Sequence, residues 1–310
     1  MMMPHKLQIK ALWEDLPDVV RRWALRSDRK PYLIKAPPWG NGSAGTRVLH
    51  LLCHRLNQAG EHAYIIIDHP RHLNKNLFTP FVREPWARMM ALCGAIVVYP
   101  EREHGNAFHA KTVVRYVLNR PGLLGGDSIY DERELVFVYS AVLSKFVQNS
   151  LKGLLFLPSI EPEIFHARQQ EERDLITFYV GKGQYREGVV DRGSSGVVEI
   201  TKVPQCPETR EELAELFRRS RVFYCFDMLS ITASEARLCG CPVVLFPDQH
   251  YSKEQIAEQE LGFEGITFEN SDSAIEEARR YVHVVQERYA AVTARFKEQL
   301  ADFIEMTQGA

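Results

Sequence analysis

Two carboxylates eight positions apart, Asp227 and Glu235, carry the most legible chemistry in this chain. Asp227 closes the apolar run Val222-Phe223-Tyr224-Cys225-Phe226, and Ser230 and Thr232 follow in a polar turn. Glu235 falls one turn into a short helical segment that ends at Gly240 and Pro242. Open α/β sheets bind anionic ligands in loops beyond strand ends and at helix N-termini. An ionised carboxylate accepts hydrogen bonds from paired hydroxyls, so two of them around such a turn suit a ligand with two hydroxyl-bearing halves, as in a sugar nucleotide. A plainer assignment makes Asp227, Ser230 and Thr232 helix-capping residues and Glu235 a solvated helix residue.

Gly40, Gly42 and Gly45 form a second cluster, between an apolar run at 32–35 and a helical stretch. Glycine lets backbone come close to a ligand and bares N–H groups at a helix start. This Gly-x-Gly-x-x-Gly spacing, with Asp68 about 20 residues on, is also that of a dinucleotide-binding turn, which makes an NAD-dependent enzyme one rival reading. Glu101 and His104 follow the apolar run at 95–99, and both residue types carry protons near neutral pH, suiting them to position or polarise an acceptor hydroxyl. His50 and His54 lack a nearby acid, and Cys239 and Cys241 lack a second ligand pair, so packing is the expected role of all four.

The elements that must position these groups alternate along the chain. Apolar, β-rich runs at 32–35, 63–68, 95–99, 135–139 and 154–158 predict strands, with helices at 46–59 and 111–118. The cycle restarts with strands at 176–180, 197–201, 222–226 and 243–246, and helices at 211–219, 231–239 and 252–261. A long helical stretch covers about 273–306. Strands buried on both faces between helices imply parallel sheets. Two α/β domains are therefore expected, 1–158 and 159–310, joined by the stiff segment from Pro158 to Pro162.

At 310 residues, 45% hydrophobic and 25% charged, the composition is globular. The formal charge of -2 and the lack of an aromatic-interleaved basic patch argue against a nucleic-acid partner. Six scattered cysteines, no signal peptide and no apolar run near 18 residues predict a cytoplasmic, non-spanning protein. A helical segment from Leu7 to Arg29, basic at Arg21, Arg22, Arg26 and Arg29, either packs on its own protein or touches the inner face of an anionic membrane. Oligomeric state is not legible.

The segment from Asp227 resembles the C-terminal domain of GT-B fold glycosyltransferases of the retaining Glu-x7-Glu type, the glycosyltransferase group 1 or family 4-like enzymes. Asp227-x7-Glu235 matches with the first Glu shortened, and Leu238-Cys239-Gly240-Cys241-Pro242-Val243-Val244 matches closely. The similarity extends to Gly40 through His50 and to Tyr99 through Asn106, and so covers most of the chain. It implies two Rossmann-like parallel-sheet domains facing a cleft, an acceptor side before the linker and a nucleotide-sugar side after it.

The resemblance further implies that Asp227 contacts hydroxyls of the transferred sugar and Glu235 the nucleotide ribose. Lys182, in the Val180-Gly181-Lys182 start of the second domain, is the implied cation for the pyrophosphate, with Arg186 the nearest second base. Gly42 and Gly45 would close over the donor, and Glu101 and His104 would lie in the cleft. Met228, Leu229 and Ser230 replace the family's glycine-bearing turn, which puts close backbone approach there in question. No Asp-x-Asp occurs, so no catalytic metal and no cofactor beyond the nucleotide-sugar co-substrate is expected. The implied activity is a metal-independent, hexosyltransferase-like transfer to a glycan, lipid-linked or protein acceptor, as in polysaccharide biosynthesis. A nucleotide-sugar epimerase and a non-catalytic sugar-nucleotide-binding subunit remain rivals beside the NAD enzyme.

Overall fold

The computed structural model describes residues 29–148, 150–168, 172–202, 204–247 and 250–310. The basic helix expected at 7–29 therefore lies, but for Arg29, outside the described residues. The first unit holds strands β1 (Tyr32–Lys35), β2 (Ala63–Ile66), β3 (Phe81–Val82), β4 (Ile96–Pro100), β5 (Thr112–Val117), β6 (Leu135–Val138) and β7 (Leu151–Leu154). They form one parallel sheet in the order β3-β2-β1-β4-β5-β6-β7. Helices α1 (Ala44–Gln58), α2 (Glu84–Leu92) and α3 (Ala141–Ser144) join its strands.

The second unit holds β8 (Leu175–Tyr179), β9 (Val197–Glu199), a two-stranded hairpin of β10 (Thr201–Lys202) and β11 (Gln205–Cys206), then β12 (Ser220–Cys225), β13 (Val243–Leu245) and β14 (Ile266–Thr267). Apart from the hairpin these strands form a parallel sheet, β14-β13-β12-β8-β9. Its helices are α4 (Arg210–Arg219), α5 (Ile231–Leu238), α6 (Lys253–Ala257), α7 (Asp272–Tyr281) and α8 (Val284–Gln308). The architecture is α/β, two Rossmann-like parallel-sheet units facing a cleft.

Several local expectations need correction. The helix expected at 111–118 is strand β5: Thr112, Val113, Val114, Tyr116 and Val117 are β-branched or aromatic, and all are buried between layers on both faces, where helical spacing confers nothing. The strand expected at 154–158 lies earlier, at β7, and the apolar residues Leu155, Phe156 and Leu157 are buried just beyond it. The long helix at 273–306 is two helices, α7 and α8, parted at Val282 and His283.

Chain order reverses between β1 and β4 in the first sheet and between β8 and β12 in the second. Such switch points open a crevice beyond the carboxyl ends of the strands, because successive connections leave on opposite faces. The loops after β1, β4, β8 and β12 are thus where a ligand fits.

The units are tied together by more than the linker. The Tyr289 hydroxyl on α8 donates to the Ile160 carbonyl at 2.7 Å and accepts from the Ile160 N–H at 3.0 Å, pinning the proline-flanked segment. Val285 and Tyr289 of α8 join the second core, whereas Phe296, Leu300 and Phe303 join the first. Each fully buried side chain of this size contributes about 1.5–3 kcal/mol of apolar burial. Helix α8 therefore resists separation of the sheets. No helix among the described residues is long and apolar enough to cross a membrane.

Candidate active site

Both switch points open into one cavity of about 680 Å³ between the sheets. Gly42 and Gly45 line it from the loop after β1, Glu101 from β4, Lys182 from β8 and Asp227 from β12, with Ser230 and Thr232 at the start of α5. These seven of the residues singled out in the sequence meet there. Glu235 and His104 do not.

Asp227 is 4% exposed, and its Oδ2 accepts from the Lys182 N–H at 3.3 Å and lies 3.6 Å from Lys182 Nζ. Glycines on either side of Lys182 make this approach possible. Gly181 has φ +58°, and a Cβ there would stand 2.7 Å from Asp227 Oδ2. A Cβ at Gly183 would stand 1.5 Å from the Phe226 carbonyl oxygen. The turn after Asp227 closes without glycine, because the Ser230 N–H donates to the Asp227 carbonyl at 3.1 Å and the Ser230 hydroxyl accepts from the Thr232 N–H at 3.3 Å. Ser230 is thus the N-cap of α5 and a cavity residue at once.

Helix α1 begins the same way, with the Ser43 hydroxyl accepting from the Thr46 N–H at 3.4 Å. The first N–H groups of a helix have no intrahelical partner and carry a partial positive charge. Of the described α-helices, α2, α4, α6, α7 and α8 place an acid in their first turn, while α1, α3 and α5 do not. The start of α3 is met by Glu260 of the second unit, whose carboxylate accepts from the Ala141 N–H and the Ser140 hydroxyl. That leaves α1 and α5, which open on the cavity from the two units, without an acid of their own to offset the field. Lys182 and Lys202 add positive charge. Lys202 comes from the β10–β11 hairpin, which reaches across to the first unit: a Cβ on Gly42 would lie 3.7 Å from Lys202 Cγ and 3.6 Å from Gln205 Oε1.

Glu101 is 3% exposed and its Oε2 accepts from the Leu118 N–H at 3.0 Å. Burial pushes its carboxyl above the usual carboxylate range, against the opposing pull of that hydrogen bond. His104 is placed elsewhere. Its side chain is 76% exposed and pairs with Asp127 at 3.1 Å, outside the cavity lining. The cause is Arg115, buried beneath the loop, which donates to the carbonyl oxygens of Glu103 at 2.9 Å and Gly105 at 2.6 Å and fixes the segment with His104 on the solvent side.

Glu235 likewise departs from the expected ribose contact. It is 1% exposed and absent from the cavity lining. Its Oε1 accepts from Arg47 at 2.9 Å and from Arg210 at 2.6 Å, and Arg210 also donates to Glu161 at 2.6 Å. Burial draws the Arg47 guanidinium down from its ordinary range, with the Glu235 carboxylate opposing. Arg47 also donates to the Asn41 carbonyl, so this cluster ties the glycine loop of the first unit to α5 of the second.

Sequence reasoning passed over Arg47, Lys202, Arg210 and Glu161. Only Arg47 left a trace, as a cation at the start of a helix with no acid in its first turn, a placement the helix dipole disfavours. Asp68, the ribose acid of the dinucleotide reading, is exposed and does not line the cavity. His50 Nε2 bonds the Pro37 carbonyl at 2.9 Å, and His54 Nδ1 accepts from the Phe78 N–H at 3.0 Å. Cys239 and Cys241 are buried and form no disulfide.

No family model and no curated protein matches the chain. Among solved structures it is similar to the glycotransferase of kitacinnamycin, with a TM-score of 0.46 and 12% identity over 90% of this chain and 100% of that one. It is also similar to the spinosyn rhamnosyltransferase SpnG, with a TM-score of 0.38 and 12% identity over 88% of this chain and 96% of that one. SpnG complexed with thymidine diphosphate gives a TM-score of 0.38 and 13% identity over 87% and 96%. What this chain binds must be read from its own cavity.

Proposed function

We propose that this protein transfers a sugar from a nucleotide-sugar donor to the hydroxyl of an acceptor. The observation that carries the proposal is the convergence of two acid-free helix starts, one from each unit, and of Lys182 and Lys202 of the second unit on a cavity that also holds Asp227 and Glu101. Such a frame suits a pyrophosphate, whose charge rises as it leaves. Asp227 suits the sugar hydroxyls beside it.

In this reading residues 159–310 hold the donor, residues 1–158 present the acceptor, and the cleft excludes water that otherwise competes as acceptor. The bond from the anomeric carbon to the phosphate oxygen breaks, and its electron pair leaves on the nucleoside diphosphate. The acceptor oxygen bonds to the anomeric carbon. Following the resemblance to Glu-x7-Glu enzymes we take the retaining course, in which the departing phosphate oxygen receives the acceptor proton and Glu101 orients the acceptor. The leaving charge is met by Lys182, Lys202 and the helix starts, and no cofactor beyond the co-substrate enters.

The test is a thermal-shift screen of UDP-, GDP-, CMP- and TDP-linked sugars, followed by assay of nucleoside diphosphate release. A true donor at roughly a hundredfold over its Kd adds about 2.7 kcal/mol of stability. A screen in which no sugar nucleotide raises Tm, while NAD does, overturns the proposal.

A further inference from the structure

The cavity is divided by chemistry. Its polar end holds Lys182, Lys202 and Asp227, while Leu118, Leu124 and Leu143 of the first unit and Leu229 and Leu261 of the second form an apolar wall. Leu229 packs against the first unit's cluster containing Leu143, so the wall is continuous across the interface. Three polar side chains beside this wall, Asn119, Ser140 and Glu260, are already engaged. The Asn119 oxygen accepts from the Tyr251 hydroxyl at 2.9 Å and from the Arg120 N–H at 2.9 Å. Glu260 accepts from the Ser140 hydroxyl at 2.7 Å and the Ala141 N–H at 2.5 Å.

Glu101 stands at the junction. Its carboxylate accepts from the backbone of Leu118, the first leucine of the wall. The turn from Gly122 to Gly126 carries Leu124 and is fixed against the same strand end: Gly125 and Gly126 have φ of +90° and +77°, and a Cβ at Gly126 would lie 2.0 Å from the Glu101 carbonyl oxygen. Leu124 is 37% exposed, an apolar side chain held at the cavity by a turn that has no room for other residues at Gly126.

We propose that the leucine-lined end receives the apolar body of the acceptor, a small neutral alcohol or phenol whose hydroxyl reaches Glu101, and not a glycan. This rests on the transferase reading above. A glycan brings many hydroxyls that need partners when they leave water, and the wall offers few, since its Asn119, Ser140 and Glu260 are already engaged. An apolar body needs no partners and gains from burial there. The cavity volume of about 680 Å³ suits a small-molecule site.

Calorimetric titration of the free protein with naphthol and with maltotriose tests the subsite without any donor. Naphthol is expected to bind at least roughly tenfold more tightly than maltotriose, and Leu124→Glu to weaken naphthol by roughly tenfold or more. Maltotriose binding as tightly as naphthol, or naphthol affinity unmoved by Leu124→Glu, overturns the proposal. With a donor that stabilises the protein, transfer to naphthol is expected to exceed transfer to maltotriose, and transfer to maltotriose alone again overturns it. Naphthol binding in a protein that no sugar nucleotide stabilises supports the subsite while removing the transferase reading.

Discussion

Arg47 of the first unit donates to Glu235 of the second at 2.9 Å, with side chains 4% and 2% exposed. The acid that sequence comparison assigns to a ribose is here the centre of an ion cluster between units. Two guanidiniums share one carboxylate oxygen, and neither has bulk water to replace it.

Glu235→Ala should therefore act on stability first. Removing one member of a buried ion cluster leaves the others uncompensated and costs about 3–5 kcal/mol. Urea denaturation of the variant checks this. Unchanged stability with a raised donor KM would return Glu235 to the ribose.

Asp227→Ala should lower kcat/KM for transfer by about 10² or more, the scale of a lost group at the reacting centre, with circular dichroism and Tm near those of the parent. Undiminished turnover removes Asp227 from the chemistry.

Glu101→Gln separates orientation from proton transfer. A carboxylate that only orients the acceptor costs about tenfold in kcat/KM when replaced, and a general base about 10²–10⁴. The same variant carries a pH signature. Burial raises the Glu101 carboxyl above its ordinary value of 4.5, so the folded chain holds that proton more firmly than the unfolded one. The stability this contributes is full below that value and is lost as pH rises through the folded-state pKa. Relative to the parent, Glu101→Gln should gain stability as pH rises from acid to neutral. A difference in Tm that stays flat with pH contradicts the assignment.

His104→Ala should leave kcat/KM within about twofold, because an exposed side chain outside the cavity contributes little. A large loss would mean that the loop turns inward during turnover.

Gly183→Ala forces a methyl onto the Phe226 carbonyl, and the backbone has to move. A loss of about 1–3 kcal/mol is expected, together with weakened stabilisation by any donor, since the shift displaces Lys182 from Asp227. Thermal shift with and without donor reads both.

Parallel strands announce themselves, because burial on two faces demands runs of Val, Ile, Phe and Tyr; β1, β2, β4, β8, β12 and β13 were readable for that reason. Strand β5 was not, since Thr112-Val113-Val114-Arg115-Tyr116-Val117 interrupts its run with a buried arginine that looks like the polar face of a helix. The edge strands β3 and β14, two residues each, are too short to show a period.

The sequence alone determined that Asp227, Lys182, Glu101 and the glycine loop lie at strand ends and helix starts, because each follows an apolar run and precedes a turn former. That information is local. Only the tertiary structure decided that both switch points open on one cavity, that Arg47 and Arg210 claim Glu235, and that Arg115 turns His104 to solvent. Arg47 and Glu235 are 188 positions apart, and Arg115 acts on carbonyl groups 10 and 12 positions earlier. Long-range pairing of buried charge is set by how two sheets are brought together, and neighbouring residues in the chain do not encode it.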